Sequence, residues 1–141
     1  MENIELEYVC NIRVRYAETD TMGFVYNGNY LTYFEVARTE LMRNYGMPYS
    51  VLEKQGFNLP LIDAYVKYIA PAHYDDILDI KGKISWSGEP KLKFDYEVYV
   101  NDKLISEGYT RHAFLSKKTG TPVRPPEIFK ESMKKAGKKN T

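Results

Sequence analysis

Tyr16-Ala17-Glu18-Thr19-Asp20-Thr21-Met22-Gly23-Phe24-Val25-Tyr26-Asn27-Gly28-Asn29-Tyr30 is the stretch on which the fold turns. It lies between a segment of period two and the longest helical pattern in the chain. Before it, Leu6, Tyr8, Cys10, Ile12 and Val14 share one parity, and Glu5, Glu7, Asn11, Arg13 and Arg15 mostly take the other. That alternation predicts a half-buried strand over about 5–16. After it, Leu31, Phe34, Ala37, Arg38, Leu41 and Tyr45 recur at helical spacing, up to Gly46 with Pro48 beyond. Asn29 reads as the N-cap of a helix over 30–45, about 24 Å long. Tyr49 to Gln55 suits a short second helix. An acidic side chain such as Asp20, in a loop before a helix, can face the amide-rich helix start. That pairs a carboxylate with a site for developing negative charge.

From Leu59 onward the period is two. Ile62, Ala64, Val66 and Tyr68 share a face. Leu78, Ile80, Gly82, Ile84 and Trp86 oppose Asp79, Lys81, Lys83 and Ser85. Leu92, Phe94, Tyr96, Val98 and Val100 oppose Lys91, Lys93, Asp95 and Glu97. A last strand covers roughly 103–115, with a less regular alternation that suits cover on both faces. Short links at Ser87-Gly88-Glu89-Pro90 and Asn101-Asp102 make the last three strands antiparallel neighbours. One long helix beside about five antiparallel strands is an α+β layer architecture.

The chain has 141 residues, which fits one domain. A chain of this length hides roughly two-thirds of its surface on folding, enough for a core without disulfides or metals. A net charge of +1 argues against nucleic acid as the main partner. Cys10 is the single cysteine and cannot form an internal disulfide, which points to a reducing compartment. No apolar run approaches the roughly 20 residues of a membrane span, and the acidic start lacks a signal-peptide core. The expected location is the cytoplasm. The domain is expected over 1–128, with 129–141 a basic, frayed and solvated tail. Thirteen tyrosines suit half-buried sheet faces and interfaces.

Local motifs carry a resemblance. Arg15 to Tyr26 followed by Asn29-Tyr30-Leu31-Thr32-Tyr33-Phe34-Glu35-Val36-Ala37-Arg38 is similar to the signature of 4-hydroxybenzoyl-CoA thioesterase-like acyl-CoA thioesterases. Tyr68-Ile69-Ala70-Pro71-Ala72 with Asp75-Asp76, and Thr121-Pro122-Val123-Arg124-Pro125-Pro126, extend it over about residues 8–127. The resemblance implies the hotdog fold, a long central helix wrapped by a curved antiparallel sheet of about five strands. It implies homodimers joined edge to edge, often paired into homotetramers, with active sites at the dimer interface. It implies hydrolysis of acyl-CoA to free acid and CoA, with no cofactor and no metal.

On that resemblance Asp20 is the catalytic carboxylate, either a general base on water or a nucleophile. The backbone N–H of Asn27 takes the family position that polarises the thioester carbonyl. Some relatives carry His there; Asn cannot shuttle a proton, which leaves Asp20 as the main titrating group. Gly28 allows close backbone approach. Tyr26 and Tyr30 are candidates to line the acyl pocket, as is Tyr33, although core or interface packing is the simpler reading of each taken singly. Lys91 and Lys93 match the region where relatives hold the CoA phosphates, against a plain reading as a solvated edge. Glu18 either sits beside Asp20 and raises its pKa or points outward. Glu35 and Arg38 have the spacing of a helix ion pair. His73, His112 and Cys10 read as structural. The rival readings are an acyl-acyl-carrier-protein thioesterase, a non-catalytic acyl-thioester-binding protein and a hydratase. The lack of any His in the 17–28 loop argues against the last.

Overall fold

The computed structural model describes residues 1–139. Its elements in order are strand β1 (Ile4–Arg13), a single 3-10 turn (Tyr16–Glu18), helix α1 (Asn29–Asn44), helix α2 (Tyr49–Lys54) and strands β2 (Phe57–Asn58) and β3 (Leu61–Tyr68). Strands β4 (Ile77–Trp86), β5 (Lys91–Val100), β6 (Lys103–Ser116) and β7 (Pro122–Val123) follow, then helix α3 (Glu127–Lys139).

Alternation explains the sheet. In β4 and β5, Leu78, Ile80, Ile84, Trp86, Leu92, Phe94, Tyr96 and Val98 are all buried, while the intervening residues lie outside. β1 pairs antiparallel with β4, β4 with β5, β5 with β6, and β6 with β3; β2 and β7 are short additions to β6. The buried face wraps α1, whose Tyr30, Tyr33, Phe34, Ala37 and Leu41 form one apolar stripe. Phe34 stacks on Tyr96 with centroids 4.2 Å apart, which ties helix to sheet. Five long strands around one long helix is the hotdog arrangement expected from the sequence.

Close approach fixes one glycine. A Cβ on Gly108 would sit 2.0 Å from the Tyr65 carbonyl oxygen and 2.9 Å from the Phe34 ring. Only a hydrogen there lets β3 and α1 both meet β6. Helix α1 ends in a Schellman motif: the Gly46 N–H donates to the Arg43 carbonyl and the Met47 N–H to Met42, with Met47 buried behind.

Three expectations need correction. Asn29 is the first helical residue, not the cap. The cap position is Gly28, and the Asn29 side chain reaches back to donate to the Glu18 carbonyl at 2.8 Å. The segment from 129 is not frayed where it is described. Phe129, Met133 and Ala136 are buried at i, i+4 and i+7, and Phe129 packs against Trp86 and Phe114 at 5.1 and 4.9 Å between centroids. The lysine run hid that stripe, and the packing unit extends past 128; residues 140 and 141 lie outside the described part. Third, Glu35 and Arg38 form no ion pair among the described residues, because Arg38 turns inward and acts on the Tyr96 hydroxyl.

Strand β3 departs from the other long strands. It pairs only with β6, and only Asp63 and Val66 are partly covered. Leu61, Ile62, Tyr65 and Tyr68 stay exposed along a free sheet edge.

Candidate active site

Two short bridges build the Asp20 loop. Thr19 bridges Val25, and Phe24 bridges His73 of the turn before β4. The Val25 N–H donates to the Ala72 carbonyl at 2.9 Å, and the Phe24 and His73 rings meet edge to face at 5.2 Å. Gly23 supplies the positive φ of +83° that lets so tight a loop close. Within it, Asp20 Oδ1 accepts the N–H groups of Met22 at 2.9 Å and Phe24 at 3.2 Å. Asp20 Oδ2 has no protein partner among the described residues. The carboxylate is exposed, so one oxygen is fixed and the other open.

The helix start faces the same space. Asp20, Met22, Phe24, Val25, Asn27, Tyr30 and the segment from Tyr68 to Pro71 line a cavity of about 400 Å³. The Asn29 N–H donates to the Tyr26 carbonyl at 3.0 Å and the Tyr30 N–H to Asn27 at 3.3 Å. The N–H groups of Asn27 and Gly28 donate to no acceptor among the described residues. Those orphan donors are the positive end of α1.

Glu18 takes neither predicted place. Its side chain is 14% exposed, and its partners are Arg15 and Tyr33. Oε1 accepts the Arg15 backbone N–H at 2.9 Å and the Tyr33 hydroxyl at 2.9 Å, and Oε2 pairs with the Arg15 guanidinium at 2.9 Å. Burial pushes its pKa up, but the Arg15 N–H, the Tyr33 hydroxyl and the Arg15 charge outweigh that and hold it below the usual range. Glu18 therefore anchors the loop to α1, and the pKa of Tyr33 is raised by burial and by that carboxylate.

The profile of the thioesterase-like superfamily matches residues 14–133 of this sequence. The chain belongs to that superfamily. It is 34% identical to YneP of Bacillus subtilis over 119 residues, 84% of this chain and 86% of that one. The acyl-CoA thioesterase YbgC of Haemophilus influenzae is 28% identical over 84% of this chain and 88% of its own. A DHNA-CoA thioesterase from Staphylococcus aureus superimposes with a TM-score of 0.87 at 30% identity, covering 95% of this chain and 91% of that one.

In this thioesterase-like chain the cavity gathers Asp20, Asn27 and Tyr30 from the predicted residues and leaves out four others. Tyr26 is 60% exposed and lies over Gly28, where its Cε2 would be 2.9 Å from an added Cβ. Gly28 itself has ordinary helical φ of −65° and is outside the cavity lining. Lys91 and Lys93 lie elsewhere in the subunit. Leu92 aligns with His112 on β6, whereas Tyr68 at the cavity aligns with Ser106. At about 3.3 Å per strand residue, that separation is ~20 Å along the sheet. Lys93 instead approaches Asp95 at 3.5 Å and sits 4.8 Å over the Tyr109 ring. Arg111 forms a forked pair with Asp63.

Sequence reasoning missed Tyr68. Its hydroxyl donates to the Asn27 carbonyl at 3.0 Å, and its ring meets Tyr30 edge to face at 5.3 Å. The usable signal was a tyrosine at a strand end just before Ala70-Pro71. His112 and Cys10 are interior groups, as read from the sequence. Burial pushes the Cys10 thiol up to about 11, with the Glu40 charge adding to it. No helix of the described residues is long and apolar enough to cross a membrane.

Proposed function

We propose that this chain hydrolyses acyl-CoA thioesters, with the Asp20 carboxylate and the N–H of Asn27 acting on opposite sides of the thioester carbonyl. One observation carries the reading: an open carboxylate oxygen and an unpaired helix-start N–H border a single cavity. Asp20 Oδ2 takes a proton from water as the water oxygen bonds to the acyl carbon. The carbonyl electrons move to an oxyanion held by the Asn27 N–H. Collapse breaks the carbon–sulfur bond, and the thiolate leaves and takes the proton back from Asp20. Direct attack by Oδ2, giving a mixed anhydride that water then opens, uses the same groups. The fixed Oδ1 suits both routes.

The free β3 edge supports a two-fold dimer. Antiparallel pairing of β3 with its copy sets the Leu61 end of one strand beside the Tyr68 end of the other. That pairing carries Lys91 and Lys93 of a second copy towards the cavity, where they suit the phosphates of CoA. Tyr30 would form the floor under the acyl group. The single buried cysteine suits a reducing compartment such as the cytoplasm.

The test is thiol release from short, long and aromatic acyl-CoAs, comparing wild type with Asp20→Asn. Turnover of at least one substrate and a loss of about 100-fold or more in the variant, with fold unchanged, are expected. Equal rates would refute the role of Asp20. Release only from acyl carrier protein thioesters would reassign the substrate, and no release at all would leave a binding protein.

A further inference from the structure

We propose that Tyr68 is a positioning residue that pins Asn27 at the start of α1 so that the Asn27 N–H stays aimed at the thioester carbonyl; this rests on the hydrolase reading above. The argument begins with peptide geometry. In a trans peptide the carbonyl and the N–H of one unit point in opposite directions. The carbonyl of the Asn27–Gly28 unit is fixed twice, by the Tyr68 hydroxyl at 3.0 Å and by the Tyr30 N–H at 3.3 Å. Fixing that carbonyl holds Asn27 on its C-terminal side. The preceding unit is held in the same way, since the Tyr26 carbonyl accepts the Asn29 N–H at 3.0 Å. The Asn27 N–H is thus oriented from both sides, and it donates to no acceptor among the described residues.

The Tyr68 bond crosses from sheet to helix. Tyr68 closes β3, and its ring rests against Tyr30, which is 2% exposed, so the hydroxyl is delivered from a braced position. An oxyanion site gains its effect from donors that need no reorganisation as charge develops. A tyrosine that stops one peptide from rocking supplies that property without touching substrate through its own hydroxyl.

Tyr68→Phe removes the hydroxyl and keeps the ring on Tyr30. Tyr68 is 49% exposed, so the variant is expected to fold, with melting temperature and oligomeric state as wild type. The kcat is expected to fall about 10-fold, less than the ~100-fold or more of a deleted donor, with KM unchanged. The loss should be the same for short, long and aromatic acyl groups, because every thioester develops the same oxyanion. A wild-type kcat in the variant overturns the proposal. So does a loss that follows acyl size or falls on KM, which is what a pocket wall would give. A wild type that releases no thiol overturns the hydrolase reading itself, and this inference with it.

Discussion

Replacing Phe129 by Ala tests whether the C-terminal helix belongs to the core. The side chain is 1% exposed and contacts two rings, Trp86 at 5.1 Å and Phe114 at 4.9 Å. Truncating a buried Phe costs about 3–5 kcal/mol through lost transfer energy and the cavity left behind. Ring pairs of this geometry place it in the upper half of that range, at about 0.5–1.5 kcal/mol each. Domains of this kind hold only about 5–15 kcal/mol in total. With a urea slope of ~2 kcal/mol/M, the midpoint should fall by about 2–2.5 M. Urea unfolding followed by tryptophan fluorescence reads this directly, since Trp86 is the single tryptophan and lies against the deleted ring. Both proteins are compared at one chain concentration, so that any assembly contributes alike. Lys135→Ala on the exposed side of α3 serves as control and should stay within about 0.5 kcal/mol. A Phe129→Ala protein within about 1 kcal/mol of wild type would refute the packed helix and restore the frayed tail.

Acid should weaken the fold through His112 before the carboxylates respond. Burial pulls its pKa down to about 4, the bond to Leu59 opposes that, and the Arg38 charge adds to it. The unfolded chain therefore binds the extra proton between about pH 6.5 and 4, so stability falls as pH drops through that window, by on the order of 3 kcal/mol. Urea midpoints at pH 7 and pH 4.5 should differ more in wild type than in His112→Gln; equal slopes would contradict a neutral buried imidazole. For the β3 edge, sedimentation of wild type should give two or four times the chain mass. Ile62→Glu with Tyr65→Glu should shift it towards single chains with lower activity, and a monomeric active wild type would count against assembly through this strand.

Strands β1, β4 and β5 were legible because one face of each is covered, and a period of two then has no competing reading; β3 shows the same period in sequence although it stays mostly exposed. The same logic gave α1, whose stripe at Tyr30, Tyr33, Phe34, Ala37 and Leu41 faces the sheet. Helix α3 was not legible, because Lys134, Lys135, Lys138 and Lys139 dominate its composition while three apolar residues do the packing. Motif order singled out Asp20 and Asn27, which border one cavity. The partners of Glu18 were not legible, because Arg15 and Tyr33 reach it through a 3-10 turn that has no hydrophobic period. Tyr68 escaped for a related reason. Its hydrogen bond spans 41 positions of sequence, and nothing local to a strand end announces a distant carbonyl. Lys91 and Lys93 were placed by motif alone, and register along β6 decides distance.

The uncovered edge of β3 also sets how the chain must behave on the way to its working state. A strand with Leu61, Ile62, Tyr65 and Tyr68 in the open and one side of its backbone unpaired is a template on which any extended segment can add. Asp63 and Lys67 are its only charges, and Asp63 is already engaged by Arg111. On the proposed dimer, a newly made subunit meets two fates that compete by concentration and time: capture by a second copy, or growth of aggregates from the same edge. Low expression temperature favours the first, and every substitution that slows pairing feeds the second.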